Sequence, residues 1–67
     1  MNLKIEVERE ADGRWIADVV ELPGCMAYGK TQEHALAKAK ALALRIMADR
    51  LEHGEPVPAG DELFSIA

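Results

Sequence analysis

The chain has 67 residues, a formal net charge of -4 and one cysteine. A domain this small buries only about 60% of the surface its unfolded chain exposes, which excludes a second domain and leaves room for one thin core. That core is thinner than the 49% apolar content implies, because eleven of the apolar residues are alanines. Cys25 has no partner for an internal disulfide, Met1-Asn2-Leu3-Lys4 lacks the apolar run of a secretory signal, and no stretch is long enough for a membrane helix. These features predict a cytoplasmic chain.

Leu3, Ile5 and Val7 alternate with Lys4, Glu6 and Glu8, the period-2 signature of a strand buried on one face. Asp12-Gly13 marks a hairpin turn, since glycine accepts positive φ without steric cost. A second strand is predicted from about Arg14 to Leu22, apolar on both faces: Trp15, Ala17 and Val19 on one, Ile16, Val20 and Leu22 on the other. One set can pack on a helix, and the opposite set needs other cover. Pro23-Gly24 fits the centre of a type II turn.

Cys25 to Tyr28 is long enough for a short third strand, ended by Gly29. Thr31 suits a helix N-cap and Glu33 the positive end of the helix dipole. From Gln32 to about His53 the pattern is helical, with Ala35, Leu36, Ala39, Leu42, Ala43, Ile46 and Met47 on one face and Gly54 placed to end it. Leu44 and Leu51 fall outside that face, so the helix has apolar surface to spare. Pro56 and Pro58 predict an extended connection to a short last strand over Leu63-Phe64-Ser65-Ile66.

Asp12-Gly13, Trp15, Leu22-Pro23-Gly24-Cys25, Gly29-Lys30-Thr31, the Ala/Leu-rich helix and Gly54-Glu55-Pro56-Val57-Pro58 follow one another in an order and spacing that resembles the N-terminal domain of HicB antitoxins. The resemblance covers nearly the whole chain. It implies an α+β fold of β-β-β-α-β order, partly ribonuclease-H-like, with a three-stranded antiparallel sheet, an edge strand and one long helix on one face. It further implies that residues 1–67 form a single HicB-like domain, the stand-alone short form. The C-terminal DNA-binding domain of many longer HicB antitoxins is not expected within it.

Charge is unevenly placed. Residues 1–24 hold six acids against three bases and residues 54–67 hold three acids and no base, while the helix region is slightly positive. Such a chain repels phosphate backbones, so no direct nucleic-acid contact is expected. The resemblance implies instead a protein partner, a basic HicA-type RNA-cleaving toxin whose catalytic surface the chain would occlude. Glu6, Glu8, Asp18 and Glu21 are the expected electrostatic surface for it. Ile16, Val20, Leu22, Tyr28, Leu44 and Leu51 are the expected apolar surface, serving either that partner or self-association. The alternative reading is a homo-oligomeric scaffold or regulator without a toxin, and in either case a homo-oligomer, most simply a dimer, is expected.

Catalysis finds little support. Metal-dependent nuclease chemistry needs carboxylates converging on divalent ions, whereas Glu6 and Glu8 alternate with core residues as on any solvated sheet face. A lone cysteine beside a turn is more often a small hydrophobe than a nucleophile. His34 and His53, nineteen positions apart, cannot share a metal. Lys38 and Arg45 read as a solvated stripe. No catalytic residue, metal or cofactor is expected.

Overall fold

A computed structural model of the chain describes residues 3–55 and 64–66. The alternating N-terminal segment forms β1 (Leu3–Arg9), and the chain turns back into β2 (Trp15–Val19). The turn is tied by the Gly13 N–H donating to the Glu10 carbonyl at 3.0 Å, with Gly13 at φ 93. β3 (Met26–Gly29), α1 (Gln32–Glu52) and β4 (Phe64–Ile66) follow. The four strands form one sheet in the order β3-β2-β1-β4. The first three pair antiparallel, whereas β4 lies parallel to β1 at the far edge. A parallel partner requires a long crossover, and α1 lies within it. Residues 56–63, including Pro56, Pro58 and Leu63, lie outside the described part.

The odd-numbered residues of the first three strands face α1, as does Phe64 of β4. Leu3, Ile5, Ala17 and Val19 are buried against Ala35, Leu36, Ala39, Ala43 and Met47, with Val7, Trp15, Ala27 and Phe64 packed at the margins. Four alanines in that cluster bring the helix close to the sheet, so a core of few large side chains still fills.

The second strand is shorter than its sequence suggests. It stops at Val19, and the chain then coils through two tight turns, the Leu22 N–H donating to the Val19 carbonyl and the Cys25 N–H to the Leu22 carbonyl at 2.9 Å. Period-2 alternation therefore ends before Leu22, which turns back into the core at 4% exposure instead of continuing the outer face with Ile16 and Val20. The placement of Leu22 on a partner surface is thus corrected. The Pro23-Gly24 reading holds: the Leu22–Cys25 bond spans them and Gly24 has φ 82, as a type II turn requires.

Both helix ends match their signals. The Thr31 hydroxyl accepts the His34 N–H at 3.1 Å. At the other end Gly54, at φ 78, follows the cap residue His53, and the Glu55 N–H reaches the Arg50 carbonyl at 2.9 Å while the Gly54 N–H reaches Leu51. This pair of bonds is the Schellman arrangement that satisfies the last carbonyls.

Candidate functional site

The face of the sheet turned away from α1 is built by register. On β1 and β2, Glu6 stands directly opposite Asp18 and Glu8 opposite Ile16. On β2 and β3, Asp18 stands opposite Met26 and Ile16 opposite Tyr28. Two rows cross the sheet in this way, Glu6–Asp18–Met26 and Glu8–Ile16–Tyr28, with Val20 just beyond them. Val20, Met26 and Tyr28 are 47%, 45% and 40% exposed, while Ile16 is half-buried between its neighbours. Sheet pleating alone brings these acids and apolar groups together, because residues two apart share a face.

Like charges directly across a strand pair destabilise a sheet. Glu6 and Asp18 form such a pair, and Glu8 lies two residues along on the same face. Lys4 lies two residues before Glu6 on the same face, and Arg14 stands at the hairpin end, its guanidinium 4.5 Å from the centre of the Tyr28 ring and bonded to the Asp12 carboxylate at 2.7 Å. The Arg14 N–H, and after it the guanidinium, hold the exposed Asp12 carboxyl below the usual range. Arg14 is therefore engaged at the hairpin end and leaves the central acids unpaired with any base among the described contacts.

Glu21 behaves differently from the other acids. Its carboxylate accepts the Lys4 backbone N–H, at 3.0 and 3.2 Å to its two oxygens. It closes the end of the β1–β2 pair, beside the bond from the Val20 N–H to the Lys4 carbonyl. The exposed Glu21 carboxylate thus has a structural contact that the sequence does not announce, in addition to its charge.

Leu44 and Leu51, the remaining expected surface residues, are 50% and 62% exposed on α1, on the opposite side of the molecule from the open sheet face. The structure thus divides the expected apolar surface in two. Met26, missed in the sequence, joins the sheet set; its position next to the Pro23-Gly24 turn gave no periodicity to place it.

Cys25 is buried, with its Sγ 3.8 Å from the Ala39 carbonyl. Burial, and secondarily the charge of Asp18, pushes its thiol up from the ordinary value, favouring the neutral thiol. His53 Nδ1 lies 2.7 Å from the Asp49 carbonyl on its own helix. Among the described residues no three His, Cys, Asp or Glu side chains cluster as a metal would require, and no helix is long and apolar enough to cross a membrane.

The sheet face thus sets acidic side chains beside exposed apolar ones. The chain is similar to UPF0150 protein Ta0767 of Thermoplasma acidophilum. The two are 29% identical over 58 residues, which covers 87% of this chain and 84% of that protein. No family model matches the chain. No solved structure matches it either.

Proposed function

We propose that the open sheet face is a protein-docking surface, and that the chain acts as an antitoxin-like module that covers the catalytic surface of a HicA-type RNA-cleaving protein. The observation that carries the reading is the Glu6–Asp18 pair set beside exposed Val20, Met26 and Tyr28. A cationic partner relieves the repulsion of the acids while the apolar groups leave water, and a protein that holds RNA presents such a basic surface. The order of elements and the turn motifs, which resemble HicB N-terminal domains and their partial ribonuclease-H-like plan, support the same reading. Inhibition is by steric occlusion and needs no chemistry from this chain.

Calorimetric titration against a HicA-type protein encoded in the same genome tests this. A 1:1 complex is expected, with affinity falling steeply as salt is raised and falling at least tenfold in Asp18→Lys, the change expected when a like charge faces a basic surface. Unchanged affinity in Asp18→Lys would place the contact elsewhere, and no heat of binding would remove the reading. Homo-oligomerisation is the second reading, favoured by Leu44 and Leu51, which the sheet face does not include.

A further inference from the structure

Leu44 and Leu51 belong to a longer pattern. With Ala37, Ala41 and Ala48 they recur at spacings of four, three, four and three residues, the a/d repeat that marks the seam of two packed helices. At 100° per residue these five positions share an arc nearly opposite to the buried Ala35, Ala39 and Ala43. The α1 helix therefore carries two apolar seams, and the sheet covers only one of them. Ala37, Leu44, Ala48 and Leu51 are exposed and Ala41 is half-buried.

We propose that this second seam is covered by α1 of a second copy of the chain, the two helices packing antiparallel about a two-fold axis. The choice of occupant and of direction rests on size and on charge. In an antiparallel seam an a residue packs against a d residue of the other helix, so Leu44 of one copy meets Ala48 of the other and Leu51 meets Ala41. Large faces small in these central layers, while Ala37 lies opposite the segment beyond the end of the other helix. A parallel pair would stack leucine on leucine and alanine on alanine, leaving voids at each alanine layer.

Charge points the same way. Lys38 and Glu52 flank the same side of the seam near its two ends. Antiparallel packing brings Lys38 of one copy beside Glu52 of the other, and the two-fold axis makes that contact twice. Parallel packing would instead set Lys40 of one copy beside Arg45 of the other, two like charges in the middle of the seam. Near the axis the two Arg45 side chains approach, and Asp49, one turn along on the same flank of each helix, offsets them. The chain thus supplies its own complement in shape and in charge, which a partner of unrelated sequence would have to reproduce.

The seam from Ala37 to Leu51 is short, roughly 21 Å at the helical rise, so the pair is expected to be reversible and to dissociate on dilution into the micromolar range. It leaves the open sheet face free, and it stands or falls separately from any partner docked there.

Sedimentation equilibrium tests the proposal on the whole chain. At high micromolar concentration the expected mass is twice 7.3 kDa, and Leu44→Glu is expected to return it to 7.3 kDa with the helical circular-dichroism signal unchanged. Should Leu44→Glu lose that signal, Leu51→Glu repeats the test at the more exposed position. Lys38→Glu and Glu52→Lys are each expected to weaken the dimer several-fold, and the two combined in one chain to restore it. A mass of 7.3 kDa at every concentration would overturn the proposal. So would a dimer that survives the leucine substitutions, one dispersed only by Val20→Asp on the sheet face, or a double charge reversal that fails to restore association.

Discussion

Gly29 is the residue at which this fold has least freedom. It has no positive φ, so its backbone would accept any side chain. A Cβ at this position would instead overlap the Ala35 backbone nitrogen and lie 2.9 Å from the Ala35 Cα, where the start of α1 presses on the end of β3. Neither neighbour is a flexible side-chain end that can swing away. Gly29→Ala is therefore expected to destabilise by about 3 kcal/mol, at the upper end of overpacking costs, lowering the melting temperature by roughly 12 °C or more in a chain this short. A calorimetric melt that is unchanged would show that helix and strand do not meet there. In the sequence Gly29 reads only as a strand breaker, because a close approach between two elements leaves no local periodicity. Leu22 departs from its pattern for a related reason: it alternates with Val20 in the sequence, but the chain leaves the strand before reaching it.

At the scale of elements, the signals that survive are those completed within a few residues. The turn at Pro23-Gly24, the cap at Thr31 and the stop at Gly54 each need only neighbours in sequence, and all three are where the residues predict them. The helix is the longest element and rests on its ends as much as on its packing, since alanines dominate the buried face. Loss of the Thr31 hydroxyl strands the His34 N–H at the start of α1. Thr31→Ala is expected to cost about 1 kcal/mol in urea unfolding, with an unchanged slope. Thr31→Asp should retain the cap and add a favourable charge at the helix start. Equal stability of all three proteins would show that water satisfies that N–H as well as the hydroxyl does. What no local signal carries is strand order: the parallel pairing of β4 with β1 depends on where the crossover returns, and neither Phe64 nor Ile66 encodes its neighbour.

At the scale of the whole molecule, the chain has two uncovered apolar surfaces on opposite sides of one thin core. Composition announces both, through Ile16 and Val20 on a strand apolar on each face and through Leu44 and Leu51 outside the helix's core arc. It does not announce that they differ in character. The sheet surface sets Glu6, Glu8 and Asp18 against the single base Lys4, the character a cationic partner would fit, whereas the helix surface carries both Lys38 and Glu52, the character a second copy would fit. Register creates that difference, by setting Glu6 opposite Asp18 and Met26 beside them. The central claim is that the sheet surface silences a ribonuclease by covering it. Its most direct measurement is the rate at which a HicA-type toxin from the same genome cleaves RNA while this chain is titrated in. Cleavage is predicted to fall to background at one chain per toxin, and to persist at that ratio when the chain carries Asp18→Lys; full cleavage in excess of the unaltered chain would contradict the account.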